Sequence, residues 1–296
     1  MFVARRIPSA IASPEPDRGA ASVPESMSSE AVLCEGGLSR SEGLLLLARL
    51  LGIERSRLMA HPEIELSPQQ YATARRWFER RRAGEPVAYL IEEREFYGLP
   101  LRVTPDVLIP RPETERLVEL ALDRVSLHVP ARVLELGTGS GAVAIALASA
   151  RPASKITASD ISEAALAVAR DNALGHAAAI EFLLGNWFEA VGDRRFDLIV
   201  TNPPYVAARD PHLERGDVRF EPRLALVGGE DGMNCIGHIA DQGRNHLVSG
   251  GWILFEHGCD QGDRCAALLH TLGYCDIEDF EDLAGLSRVC VGRWRG

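Results

Sequence analysis

The chain has 296 residues, enough for one large domain or two, and its 46% hydrophobic and 25% charged residues are ordinary for a globular protein. Its formal charge is 32 − 42 = −10, and a net acidic protein repels phosphate backbones at long range, which argues against non-specific binding to DNA or RNA. The six cysteines form no CxxC pair and no cluster with histidine at zinc spacing, so reduced thiols and no metal site are expected.

Residues 1–30 carry prolines, serines and mixed charges without an apolar core segment. They are expected to form a disordered tail and not a secretory signal, with Met27 as an alternative start of translation. Residues 31–84 read as a small N-terminal helical bundle. A leucine run over 44–51 closes at Gly52, and it is too short to span a bilayer. Ser67-Pro68-Gln69-Gln70 then offers an N-cap, a proline at the first helical position and a capping-box glutamine. Tyr71, Ala74 and Phe78 follow on one helical face, while Arg75, Arg76, Arg80, Arg81 and Arg82 read as a solvated face.

Residues 85–110 are expected to form a β-hairpin linker, from Glu95-Phe96-Tyr97 through a Gly98-Leu99-Pro100 turn to Leu101-Arg102-Val103. The main domain is expected over 111–296. A helix begins at Pro112 and buries Leu117, Val118, Ala121 and Val125. Strands and helices then alternate. Arg132–Leu136 leads through glycines into a helix at Ala142–Ala150, and a strand over 155–159 ends at Asp160 before a helix over about 162–174. Further strands are expected at Ile180–Leu184, Phe196–Thr201, 251–255, 274–280 and 288–293. Such alternation predicts an α/β fold: a Rossmann-like, mostly parallel sheet of seven strands, covered on both faces. Ligands of such sheets sit at the carboxyl ends of the strands, where the following motifs all fall.

Glu135-Leu136-Gly137-Thr138-Gly139-Ser140-Gly141 spans the end of the first strand and the turn into the next helix. The glycines allow a tight turn and close approach of a ligand. Their spacing is G-x-G-x-G, not the G-x-G-x-x-G of dinucleotide sites. Asp160, ending the second strand, is placed to accept hydrogen bonds from both hydroxyls of a ribose. Strand, G-x-G-x-G, helix, strand and terminal aspartate in this order resemble class I methyltransferases. In that fold the position after the third strand flanks the adenine, so the resemblance implies that Asn186 bonds its edge and Trp187 packs on its face. The resemblance implies S-adenosyl-L-methionine as cofactor and S-adenosyl-L-homocysteine as product, with Gly137, Thr138, Gly139, Ser140, Gly141, Asp160, Trp187 and Asn202 in contact with it.

Thr201-Asn202-Pro203-Pro204-Tyr205 ends the fourth strand. An amide nitrogen is a poor nucleophile because its lone pair is delocalised into the carbonyl. Two acceptors gripping its two N–H bonds orient it and favour a pyramidal nitrogen. Asn202 supplies a side-chain carbonyl, Pro203 a main-chain carbonyl on a stiff backbone, and Tyr205 an aromatic wall, with Pro204 completing the substrate site. Asn202, Pro203 and Tyr205 are the expected catalytic residues. No strong base is needed before transfer; His257 is the candidate, with a structural role the simpler reading. The motif resembles the signature of amino-methyltransferases acting on adenine, cytosine or glutamine, so the acceptor is a planar nitrogen.

Four further segments narrow the acceptor: Leu108-Ile109-Pro110-Arg111-Pro112-Glu113-Thr114-Glu115, Arg94-Glu95-Phe96-Tyr97-Gly98, Asp217-Val218-Arg219-Phe220-Glu221-Pro222 and Glu256-His257-Gly258. With them the chain resembles, from roughly residue 38 onward, the release factor glutamine methyltransferases, the PrmC or HemK family. The resemblance implies methyl transfer to the glutamine N5 of the Gly-Gly-Gln motif of class 1 peptide chain release factors, in the cytoplasm, with no membrane and no direct nucleic-acid substrate. Where an aspartate often precedes the tryptophan in that family, this chain has Asn186. The rival readings are a glutamine methyltransferase of a large-subunit ribosomal protein, a DNA adenine-N6 methyltransferase and a non-catalytic binder that retains the fold.

Overall fold

The structure, a computed structural model, describes residues 27–296. It comprises two compact units, one ending at Phe78 and the other beginning at Glu79. The tail expected over residues 1–30 falls outside the described residues as far as residue 26. Met27–Ser28 is a strand paired antiparallel with Glu65–Leu66, and Ser29–Gly36 is a helix capped by Ser28, so residues 27–30 do not belong to a tail.

In the first unit, helices Ser29–Gly36, Arg40–Leu51 and Arg55–Ala60 precede the start of Pro68–Arg82. Leu46, Leu47, Leu58, Leu66, Ala74 and Phe78 are buried there. The capping box forms as its sequence requires: Gln70 N–H donates to Ser67 Oγ at 3.3 Å, and Ser67 N–H donates to Gln70 Oε1 at 2.9 Å.

The second unit begins at Glu79 with the end of Pro68–Arg82 and a short helix, Val87–Ile91. The expected hairpin segment 85–110 therefore starts as helix before the antiparallel hairpin of Glu93–Phe96 with Leu99–Arg102. Its turn is the two residues Tyr97 and Gly98, both at positive φ (52° and 73°), and not the expected Gly98–Pro100. A two-residue turn with this backbone matches the twist of the flanking strands. Tyr97 is held there by its N–H, which donates to Glu115 Oε1 at 2.8 Å.

The main sheet consists of β1 (Arg132–Leu136), β2 (Lys155–Asp160), β3 (Ile180–Leu184), β4 (Phe196–Thr201), β5 (Leu247–Glu256), β6 (Cys275–Glu281) and β7 (Ser287–Arg293). Their spatial order is β6-β7-β5-β4-β1-β2-β3, with β7 antiparallel to both its neighbours. Helices α1 (Glu115–Arg124), α2 (Ala142–Ala150), α3 (Glu163–Gly175), α4 (Asn234–His246) and α5 (Gly262–Thr271) surround it. Side chains alternate across a strand. Val133, Leu198, Val200 and Leu254 therefore pack with α1 and α2, while Leu134, Leu136, Ile199, Ile253 and Phe255 pack with α4 and α5. Each such side chain contributes roughly 1.5–3 kcal/mol by leaving water.

The register places the site. Leu136 pairs with Ser159 and Thr201, Asp160 with Leu184, and Thr201 with Phe255. The carboxyl ends of five strands thus stand level, bringing Asp160, Asn202 and Glu256 to one edge. The six cysteines are free, and among the described residues no helix is long and apolar enough to cross a membrane.

Candidate active site

The turn after β1 is anchored before any ligand meets it. The N–H groups of Gly137 and Thr138 both donate to Ser159 O, at 2.8 and 3.0 Å. Gly139 N–H donates to Asp160 Oδ2 and Ser162 N–H to Asp160 Oδ1, each at 2.9 Å. These bonds aim the Asp160 carboxylate and leave lone pairs on both oxygens. Burial raises this carboxyl above the usual range, against the opposing backbone donors.

Behind the turn lies Glu135, buried in the core face of β1. Its Oε2 accepts from Thr138 Oγ1 at 2.5 Å and from Ala144 N–H at 3.1 Å. Burial pushes this carboxyl up to about 8. Ser140 O accepts from Asn172 Nδ2 at 2.9 Å, and the same side chain bonds both backbone groups of Arg102. Gly141 sits at φ 83°, where a Cβ would come within 3.2 Å of Ala169 Cβ and 3.1 Å of Ile145 Cδ1. Only glycine allows that turn and that helix contact together.

On the other side, Asn202 Nδ2 donates to Thr114 Oγ1 at 3.1 Å, and Thr114 Oγ1 donates to Glu256 Oε2 at 2.6 Å. The second Glu256 oxygen accepts from the Tyr205 hydroxyl at 3.0 Å. Burial raises both the Glu256 carboxyl and the Tyr205 hydroxyl, and the neighbouring carboxylate raises the latter further. Gln261 Nε2 donates to Tyr205 O at 3.0 Å. Among the described residues no protein donor meets Asn202 Oδ1 or the Pro203 carbonyl.

A cavity of about 240 Å³ joins these two halves. Gly137, Asp160, Asn186, Trp187, Asn202 and Pro204 line it, so the two sequence motifs meet in one space. The other expected site residues stand behind its wall. Thr138 and Ser140 are buried, Gly139 and Gly141 shape the turn, Pro203 is buried beneath Pro204, and the Tyr205 ring packs on the core. Trp187 adopts φ 50°, unusual for a residue with a side chain, as the chain leaves β3. His257 is wholly buried, with Nδ1 2.9 Å from Gly258 O and Nε2 2.8 Å from Asp279 Oδ1, so both ring nitrogens are committed to structural hydrogen bonds.

Sequence reasoning missed the chemistry of Thr114 and Glu256, although both lie in segments singled out by resemblance. It also gave no role to the roof of the cavity, the part of its lining that Pro222 and Leu224 contribute. That roof is tied down by Arg111, whose Nη2 donates to both oxygens of Glu221 at 2.8 and 2.6 Å. Phe220 is anchored among Tyr89, Val107, Ile109 and Val168. Arg111 and the segment around Glu221 therefore share one task.

Residues 117–216 match the methyltransferase small domain family, and residues 30–91 match the PrmC N-terminal domain. A release factor glutamine methyltransferase of Vibrio cholerae is 46% identical over 256 residues, covering 86% of this chain and 89% of the relative. The protein of the same name from Bordetella pertussis is 46% identical over 88% of this chain and 97% of its own. That of Escherichia coli is 45% identical over 86% and 92%. Among solved structures, a methyltransferase from Pyrococcus furiosus has a TM-score of 0.52 at 20% identity, covering 74% of this chain and 97% of that one. A Thermus thermophilus 16S rRNA methyltransferase in complex with AdoMet and guanosine also has a TM-score of 0.52, at 19% identity, covering 69% and 50%. These two likenesses concern the fold. The chain belongs to the release factor glutamine methyltransferase family.

Proposed function

We infer that this protein methylates the side-chain amide nitrogen of the glutamine in the Gly-Gly-Gln motif of class 1 peptide chain release factors, using S-adenosylmethionine and leaving S-adenosylhomocysteine. One observation carries the reading: Asn202 commits its amide nitrogen to Thr114 and leaves its oxygen for a cavity it shares with Asp160. The names of relatives 45–46% identical over most of the chain support release factors as the substrate class. On that reading the working compartment is the cytoplasm, and neither membrane nor nucleic acid is a direct substrate.

The residues suit the cofactor. The Asp160 carboxylate has lone pairs to spare for ribose hydroxyls, and Asn186 and Trp187 line the same cavity as the turn at Gly137. When bound, S-adenosylmethionine supplies a methyl group already activated on a sulfonium. What remains for the protein is placement. Asn202 Oδ1 and the Pro203 carbonyl each accept one N–H of the glutamine amide, which points its lone pair away from both. Orientation of this kind is worth up to about 7–11 kcal/mol. The nitrogen gains the methyl and then releases a proton to water. That proton becomes acidic only as the N–C bond forms, so no dedicated base is required.

Incubating the protein with labelled cofactor and, in parallel, a release factor, a large-subunit ribosomal protein and DNA tests the reading. Label is expected in the release factor. Asn202→Ala is expected to abolish transfer while still binding cofactor. Equal transfer by that variant, or label confined to another acceptor, overturns the reading.

A further inference from the structure

We propose that Thr114 and Glu256 are positioning residues that decide which atom of the Asn202 amide faces the substrate, and so make the site select a primary amide. This rests on the amide-methylation reading above.

Hydroxyls at 2.6 and 3.0 Å meet the two oxygens of Glu256 and Arg288 stands near, which together oppose the effect of burial and favour the carboxylate. A carboxylate can only accept. Thr114 has a single hydroxyl proton and donates it to Glu256 Oε2 at 2.6 Å in a buried position. Its oxygen is then left only lone pairs to offer, so the Asn202 group 3.1 Å away must be the NH₂. The other end of the Asn202 amide, Oδ1, is thereby turned to the cavity. Glu256 Oε1 takes the Tyr205 hydroxyl at 3.0 Å, so one carboxylate pins both ends of the Asn-Pro-Pro-Tyr turn. Glu256 reaches this place because Phe255 pairs with Thr201, which sets Asn202 and Glu256 side by side on neighbouring strands. Thr114 arrives from the turn ahead of α1, and Arg288 and Glu113 are the other charges near the carboxylate.

A flipped Asn202 would point N–H groups at the N–H groups of the substrate and lose its grip. The correct orientation presents acceptors only. A glutamine amide, with two donors, satisfies them; a glutamate carboxylate, with none, is refused.

The test compares Thr114→Val, which keeps the shape and removes the hydroxyl, with Thr114→Ser, which restores it. Steady-state transfer to a release factor is read as kcat and KM separately, beside cofactor affinity by calorimetry and the thermal midpoint. Thr114→Val is expected to lower kcat on the order of 10²-fold, the cost of misplacing a reacting group. Cofactor affinity should stay within about threefold, and Thr114→Ser should recover most of kcat. Glu256→Met removes both acceptors, so it is expected to lose kcat in the same way; it carries the comparison if Thr114→Val does not fold.

Solvent exchange of the Asn202 side-chain NH₂, followed by nitrogen-15 resonance in the enzyme without substrate, reads the bond directly. It should be protected in the parent and faster in Thr114→Val. Unchanged exchange, a kcat kept within threefold, or a Thr114→Ser as impaired as Thr114→Val overturns the proposal. Should the parent enzyme methylate no release factor, the substrate reading fails, and the exchange measurement still judges the role of Thr114.

Discussion

Arg111 reaches Glu221 across 110 positions of chain, its Nη2 lying 2.8 and 2.6 Å from the two carboxylate oxygens. The Glu221 side chain is fully enclosed, whereas the Arg111 side chain keeps 31% of its surface in water. Burial pushes the Glu221 carboxyl up to about 7 even with that cation beside it. Arg111 opposes that rise, so Glu221 carries its charge mainly above neutrality, and Pro222, which lines the cavity, follows directly in the chain.

Replacing Arg111 by Met leaves a buried carboxylate without its partner. The loss expected at pH 8 is about 3 kcal/mol, smaller than for a fully enclosed pair because Arg111 is partly solvated. At pH 6 the carboxyl takes up a proton and needs no cation, so the loss should shrink. Urea unfolding at the two pH values measures this, and adding Glu221→Gln to the variant should restore much of the stability at pH 8.

Asp160 is expected to dominate cofactor affinity. Asp160→Asn removes a charge and one of the acceptors that hold the turn at Gly139 and Ser162. A charge-assisted hydrogen bond is worth about 1.5–3 kcal/mol, so the dissociation constant should rise roughly 10–100-fold. Because burial raises the Asp160 carboxyl, affinity in the parent should weaken as pH falls through its titration, and Asp160→Asn should lack that dependence. Calorimetry across pH reads both effects.

Stability should fall between about pH 4.5 and 8 through Glu135, whose carboxyl is raised from 4.5 to about 8 by burial. The sign follows from linkage: in that window the folded state binds the proton more tightly than the unfolded state, so raising the pH favours unfolding, by up to about 1.4 kcal/mol per pH unit. Glu135→Gln removes this contribution while keeping an acceptor for Thr138 and Ala144. The variant's stability should change less than the parent's between pH 5.5 and 8 in denaturant titrations.

Gly228→Ala is expected to damage transfer without touching the cofactor side. A Cβ there would collide with the carbonyl of Pro204, a backbone neighbour that cannot swing away. The shift passes straight to Asn202 and Pro203. A kcat loss on the order of 10²-fold, with cofactor affinity within a few-fold of the parent, is the expected split.

The order of strands and helices was legible in the chain because each strand of the parallel sheet is a short apolar run bounded by turn residues. Helices α4 and α5 were not anticipated: α4 holds Gly237, Gly243 and two histidines, which obscure the helical spacing of Ile236, Ile239 and Ala240 that pack on the sheet, and α5 opens on Gly262. The hairpin turn was misplaced by one residue, because glycine and proline signals at 98–100 concealed a tyrosine willing to adopt positive φ.

For the site, local pattern pointed to Gly137, Asp160 and Asn202 and the resemblance added Trp187; each stands at or just after the end of a strand and so shares one edge of the sheet. Nothing local could show that Thr114, Asn202 and Glu256, separated by 88 and 142 positions in their bonded pairs, form one hydrogen-bonded chain. Nor could it show that Thr138 and Tyr205 spend their hydroxyls on the buried carboxyl groups of Glu135 and Glu256. A motif specifies which residue types stand at a strand end. The direction in which each side chain points is settled by the partners that satisfy its hydrogen bonds, and those partners come from other strands.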